Sequence, residues 1–546
     1  MGLESAFEAA NLLGLSPIGS RALSSRPHPQ DLALVVPEKL DDFPRPEGRY
    51  PLFDSPARQA LARKLEDALA PLEPHVAVLD SVRALALPDA TCIVAGQQPG
   101  LFGGPLFNTY KALHVAKLAR ALSKFWDKPV VPVLWNHADD HDIAEAHHAW
   151  FINQHVDLVK LHLAGTSSGR TPLSHITCTE GWHGLAALEE QLADLLAAEP
   201  FDAGTLQLAM PREGETLSRA WTRFHLDLFG HLGVVVLEPE WIRDELSESL
   251  AELVAPSPEA ALQAGASRLR SAGFDVAIEP QTAALVYNLQ ADARHALRLG
   301  GDGWRFDHEP GSRTASELAA EIVCAKANYN AGALLRPLVQ DMALPVSAYV
   351  GGWGELAYHA QLGELRQERG LDPGVFVPRA SCTLTDARCR RSLRRLDQRV
   401  GEFIADARGP KANMAPSAKA TDNQTADKLR ALGSELRAAL LQERDALDAL
   451  DPALAPQLKR TANQTRNLIE RLAKRVERVT SNHAGTGRRG RRRLEANLFP
   501  RAGPQERTIT TTQLVARFGR DWIDELFQAL DPIPLEHLVA HIDPHQ

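Results

Sequence analysis

Cysteine is scarce in this chain: five in 546 residues, at Cys92, Cys178, Cys324, Cys382 and Cys389. They are scattered, odd in number and never spaced as CxxC, so neither a zinc ribbon nor a disulfide framework is supported. Long uncharged apolar runs are absent too; nowhere do about 18 apolar residues follow one another, so no transmembrane helix is expected. The opening MGLESAFEAANLLGLSP has no basic stretch before its apolar part, which argues against a secretory signal and for a cytoplasmic protein. Aromatic residues make up only 6%, too few for the stacking platforms of single-strand nucleic-acid binders. Apolar residues at 44% and charged residues at 24% are ordinary globular usage, which leaves ample material for a large core.

Charge divides the chain. The first 386 residues carry a net −18 and the rest +9. Opposite signs in the two parts predict two domains: a body over 1–386 and a helical appendage over 387–546. Residues 1–55, rich in proline and turn formers, read as an irregular arm. Residues 57–71 have helical spacing. The apolar run 91–95, a glycine-rich turn, an amphipathic segment at 108–124 and a second apolar run at 129–135 make a strand–helix–strand unit with parallel strands. Further strands are expected at 156–162, 232–237, 274–279, 284–289 and 346–350, with helices at 183–198, 215–229, 257–271 and 352–368. This alternation predicts an α/β fold with an open, doubly wound parallel sheet. Beyond Ala387 strand signals nearly vanish. A polar linker at 411–424 precedes two leucine-bearing helical segments around Pro452 and Pro456, which predict an antiparallel helical hairpin.

Three segments carry the chemistry. VAGQQPGLFGGPLFNTYK at 94–111 sets glycines between a strand and a helix. Gly96, Gln97, Gln98, Gly100, Gly104 and Asn108 form a candidate nucleotide-binding turn there, with Asn108 also suited to cap the helix. The turn is neither GxGxxG nor a Walker A loop, and a tight structural βα turn is an equal alternative. WNHADDHDIAEAHH at 135–148 follows the second parallel strand. Ligands bind at the carboxyl ends of such strands, so Asp140, His141 and Asp142 are candidates for acid–base work or metal binding. Helix capping by these aspartates is the alternative, and the residues do not specify a metal. In 328–358, strand 346–350 runs into Gly351-Gly352 and a helix opens near Glu355. Arg336, Gln340, Tyr349, Gly351, Gly352 and Glu355 are the expected substrate-binding set, although Arg336 is equally suited to a structural ion pair.

In this order the segments resemble the family of bacillithiol-biosynthesis cysteine-adding enzymes. The shared features are GQQPGLFGGP at 96–105, WNHADDHD at 135–142, Leu335-Arg336-Pro337, Gln340-Asp341, AYVGGWGELAY at 348–358, PRASCT at 378–383 and NLFPRAGPQER at 497–507. Two departures stand out: Asp139-Asp140 where the family usually has a glutamate, and Trp353 where a proline is common. The resemblance implies a Rossmann-like body with small insertions and a C-terminal coiled-coil domain used for homodimerisation. It also implies a ligase that joins cysteine to the amine of glucosaminyl-malate.

Amide formation in water needs an activated acyl group, and adenylation by ATP, with magnesium as a companion, is one route. His141 is the candidate base for the amine and Arg336 the candidate grip on the malate carboxylates. The rival reading is a nucleic-acid-binding or scaffold protein using the arginine run 488–493. Against it stand the negative total charge and the scarcity of aromatics, so a solvated or subunit-facing basic loop is the better account of that run.

Overall fold

Six short apolar segments align as one parallel sheet in the computed structural model, which describes residues 2–8, 29–46, 55–165, 169–290, 293–301, 303–408, 424–451, 453–482, 486–534 and 536–542. Its strands are β1 (Leu34–Val35), β2 (Thr91–Gln97), β3 (Val130–Asn136), β4 (Val235–Leu237), β5 (Val346–Gly351) and β6 (Gly374–Pro378). They lie in the order β1-β6-β5-β2-β3-β4, every neighbouring pair parallel. β2 and β3 are buried on both faces, as a sheet covered by helices on both sides requires. The principal helices are α1 (Phe107–Trp126), α2 (Leu217–Phe229), α3 (Arg336–Ala343) and α4 (Trp353–His359).

The strand order locates the ligand crevice. From β2 the chain moves outward to β3 and β4, then returns to the other side of β2 as β5 and β6. Direction reverses between β2 and β5, and the carboxyl ends of those strands flank the topological switch point.

Several expectations are corrected. Residues 274–279 form no strand; the Ile278 amide instead donates to Oε1 of Gln361. The strands Leu158–His162 and Val286–Gln290 exist but stand outside the main sheet, in antiparallel sheets of two and five strands. Each pairs antiparallel with a strand close by in sequence, which removes the need for a helical crossover. The N-terminal arm is not wholly irregular: it supplies β1 and the strand Gly2–Glu8.

The chain divides into two compact units, Met1–Ala387 with Ala496–Gln546, and Arg388–Glu495. The residues from Ala496 onward, expected in the helical domain, therefore belong to the body. The strand Glu536–His541 runs parallel to Ser381–Thr385 and antiparallel to Gly2–Glu8. A buried polar network pins this return. Glu506 accepts from Arg379 Nη2 at 2.5 Å and Ser381 Oγ at 2.7 Å. His537 bonds to Ser381 Oγ and Thr383 Oγ1, each at 2.8 Å. Each of these groups has a partner, as burial demands.

In the second unit, α5 (Gln424–Gln442) and α6 (Leu454–Asn482) form the expected antiparallel hairpin, with Arg430 paired to Glu470 and Arg437 bonded to Asn463. Small residues make its seam: Ala426, Ala462 and Ala473 are buried, and Gly433 lies against Ile469. The leucines stand outside, with Leu432, Leu436, Leu468 and Leu472 each at least 40% exposed. Of the polar linker, residues 411–423 lie outside the described residues.

Candidate active site

A buried ion pair lies at the carboxyl ends of β2 and β5. On α1, Lys111 lies on the same stripe as Val115, Leu118 and Leu122, one and more turns along. Its Nζ donates to Gly96 O at 2.6 Å, Gln97 Oε1 at 3.2 Å and Glu355 Oε2 at 2.8 Å. Glu355, in the first turn of α4, also accepts from the Gly352 amide at 2.6 Å and the Tyr349 hydroxyl at 2.8 Å. Burial opposes its charge, but Lys111, the Gly352 amide and Tyr349 more than offset this and pull it down to about 2. Burial pulls Lys111 below the ordinary lysine value, against the support of Glu355. The ends of β2, β5 and α4 are thus tied through one lysine.

Nearby opens a cleft whose lining includes His137, Asp140, Arg243, Arg294, Arg336 and Gln340. Arg243 makes a two-point pair with Asp139, at 2.5 and 2.9 Å. Arg336 differs: it is buried, its neighbours include the Tyr358 hydroxyl, a hydrogen-bond partner, and among the described residues no carboxylate lies within ion-pair distance of it. The Arg294 side chain is only 5% exposed. It stacks 3.8 Å over the Tyr287 ring, and its Nη2 donates to Asn330 Oδ1 at 2.9 Å. Its Nε is buried without a partner, as is Nε2 of Gln340. Unmet buried donors of this kind cost free energy unless a ligand accepts from them.

Asp140 accepts from Gln98 Nε2 at 2.6 Å and lies 3.4 Å from Arg294. This bond brings the first two motifs together, as expected. His141 Nδ1 accepts from Arg294 Nη1 at 3.0 Å. An arginine can only donate, so the neutral imidazole carries its hydrogen on Nε2. Burial and Arg294 push its pKa below the ordinary value. In this arrangement His141 presents a donor, not the free base expected from the sequence. Asp142 accepts from the Glu145 amide at 3.3 Å as the N-cap of Ile143–Ala146. The capping alternative therefore accounts for this residue.

The glycine turn splits into two functions. Gly96, Gln97 and Gln98 face the lysine and the cleft, while the far half is packed shut. An added Cβ at Gly103 would lie 2.2 Å from the Phe224 ring, and one at Gly104 would lie 2.3 Å from Asn108 Nδ2. Gly104 has φ +73, a region that favours glycine, and Gly100 packs on it. Asn108 does not cap α1, which starts at Phe107 after Leu106. Its Nδ2 instead donates to Gly103 O at 3.1 Å. The Thr512 hydroxyl braces the turn through Phe102 O at 2.8 Å. Gly100, Gly104 and Asn108 thus shape the turn. Asp140 accepts from Gln98 and Asp142 from the Glu145 amide.

Of the third set, Arg336 and Gln340 line the cleft, and Tyr349 and Gly352 donate to Glu355 beside Lys111. Gly351 packs under the Phe376 ring, where a Cβ would come within 2.7 Å. Asp341 pairs with Arg366, not Arg336. Sequence reasoning misses Lys111, Arg243, Arg294 and Tyr287. Lys111 leaves a readable trace, a cation on an otherwise apolar helical stripe. Arg294 leaves none, because a lone arginine on a short strand is unexceptional.

Residues 45–380 match the family described as bacillithiol biosynthesis BshC, N-terminal Rossmann-like domain, and residues 382–542 match its C-terminal coiled-coil domain. Among similar proteins, one from Koribacter versatilis is 30% identical over 83% of this chain and 84% of its own length. One from Solibacter usitatus is 28% identical over 93% of this chain and 95% of its own. One from Shouchella clausii is 29% identical over 89% and 90%. All three bear the name "Putative cysteine ligase BshC". The two domain matches cover nearly the whole chain in the order the fold requires, and the chain belongs to the BshC family of bacillithiol biosynthesis.

Proposed function

We propose that this protein is a ligase that forms the amide between the carboxyl group of cysteine and the amine of glucosaminyl-malate. The names of its relatives support the ligase class. The observation that carries the substrate is the pairing of Arg336, which has no carboxylate partner among the described residues, with Arg294, whose Nε is unmet. Two half-satisfied guanidiniums in one cleft suit a substrate bearing two carboxylates, and malate bears two. Charge-assisted bonds to such a dianion offset the cost of burying the cations.

In this reading Arg336 and Arg294 hold the malate end and Gln340 donates to it. Asp140, beside Arg294, accepts from the incoming amine, orients its lone pair toward the acyl carbon and takes the proton that the nitrogen sheds as the activating group leaves the acyl carbon. His141 donates through Nε2 to an oxygen of the substrate. An amino-sugar amine titrates near the α-amino range, about 8, so part of it is neutral at pH 7 and no strong base is required. ATP would supply the activated acyl group.

The exposed leucines of α5 and α6 support a homodimer through the coiled coil, since two-fold pairing is the commonest way to cover such a stripe. All five cysteines are free, which suits a reducing cytoplasm. No described helix is long and apolar enough to cross a membrane. The test is incubation of the full chain with cysteine and glucosaminyl-malate, with and without ATP, followed by mass spectrometry. The expected product is the cysteinyl amide, formed only with ATP. Absence of the amide under all conditions would refute the ligase reading, and its formation without ATP would refute the activation route.

A further inference from the structure

Away from the cleft-lining side chains, a β-hairpin gathers three metal-binding side chains. The strand Ala293–Gly300 carries His295, and its antiparallel partner Gly303–Phe306 runs on into Asp307 and His308. Nδ1 of His295 lies 3.7 Å and Nδ1 of His308 lies 3.6 Å from the same oxygen, Oδ1 of Asp307. The two imidazoles stack with centroids 3.8 Å apart, and the three side chains each offer a donor atom within 4.8 Å of the others. A tetrahedral ion with bonds of about 2.0–2.1 Å sets its donors about 3.3–3.4 Å apart. The two nitrogen–oxygen spacings exceed this by only a few tenths of an ångström.

The surroundings prepare these donors. Arg170 Nη1 donates to the other carboxylate oxygen, Oδ2, at 2.9 Å, and so turns Oδ1 toward the imidazoles. Outer donors of this kind orient metal ligands elsewhere. The same Nη1 lies 3.4 Å from His295 Nδ1. The Asp307 amide donates to Ala296 O at 3.0 Å, which fixes the corner of the hairpin. Two imidazoles with one carboxylate select a borderline transition ion over magnesium or calcium, which prefer all-oxygen sites. The side chains are 19–20% exposed, so an ion can enter.

We propose that His295, Asp307 and His308 form a binding site for a divalent transition ion of the zinc class. His295 is the immediate neighbour of Arg294, and adjacent residues of a strand point to opposite faces; the site is thus separate from the substrate cleft yet tied to the strand that carries its arginine. The site stands whether or not the protein is a ligase. The test strips the full chain with a chelator and titrates it with zinc chloride against a chromophoric competitor, with cobalt(II) absorption as a second readout. The expected result is one equivalent bound, with affinity falling at least about 10-fold in His295→Ala and in His308→Ala. His155→Ala, at an exposed histidine elsewhere, should bind as the unaltered chain does. Failure of the unaltered chain to bind zinc would overturn the proposal. So would equal affinity in His295→Ala, His308→Ala and the unaltered chain.

Discussion

Replacing Lys111 by methionine tests whether the buried pair of Lys111 and Glu355 is one coupled unit. The ammonium is 4% exposed and holds three acceptors from β2 and α4. Its loss leaves Glu355, 20% exposed, with only neutral donors. Removing one partner of a buried pair costs about 3–5 kcal/mol, because the other charge remains buried and uncompensated. Glu355→Gln should fall at the low end, since Lys111 already lies below the ordinary lysine value and can release its proton. The double variant removes both charges, so its loss should fall short of the sum of the single losses by about 2 kcal/mol or more. Urea unfolding of all four proteins, read by tryptophan fluorescence with buried Trp135 on β3 as a nearby reporter, gives the cycle. Additive losses within about 0.5 kcal/mol would refute the coupling.

Three further outcomes are expected. Burial raises Glu238, at the end of β4, to about 7; the folded chain then keeps a proton that the unfolded chain releases, so stability falls as pH rises from about 4.5 to about 7 and then levels. Glu238→Gln should flatten that slope by up to about 3 kcal/mol, and unchanged pH dependence of the thermal midpoint would contradict this. A Cβ at Gly96 would come within 2.1 Å of His137 Nε2 and 3.0 Å of the Tyr349 hydroxyl; Gly96→Ala should cost about 1–3 kcal/mol, and an unshifted urea midpoint would argue against that packing. Sedimentation should show a dimer that Leu468→Asp with Leu472→Asp dissociates; a monomeric unaltered chain at micromolar concentration would end the dimer reading.

The central βαβ unit is legible in the sequence because apolar runs bounded by glycine and proline leave little choice of register. The strands expected at 91–95 and 129–135 fall within Thr91–Gln97 and Val130–Asn136, apart from one residue. Less is legible where tertiary pairing decides. The two-residue strand β1 has no local pattern to find. The strand Glu536–His541 is held by neighbours distant in sequence, Ser381–Thr385 and Gly2–Glu8. The leucines predict the hairpin of α5 and α6, yet alanine and glycine form its seam and several leucines face outward. In the site, motif order brings Gln98 and Asp140 together as expected. Spacing alone does not show that Asp142 caps a helix or that Asn108 holds the Gly103 carbonyl. Nor does it show that Arg294, 154 positions after Asp140, controls the His141 tautomer.

The grip of Arg336 and Arg294 on the substrate's two carboxylates is tested most directly by calorimetric titration with glucosaminyl-malate and with its malate dimethyl ester. Removing one charge-assisted hydrogen-bonding group costs about 1.5–3 kcal/mol, or about 10-fold or more in Kd. The account predicts that Arg336→Gln and Arg294→Gln each weaken glucosaminyl-malate by at least that factor, and that the unaltered protein binds the ester more weakly still. Equal affinity of the unaltered protein and both variants for glucosaminyl-malate, or equal affinity of the unaltered protein for the acid and the ester, would contradict it.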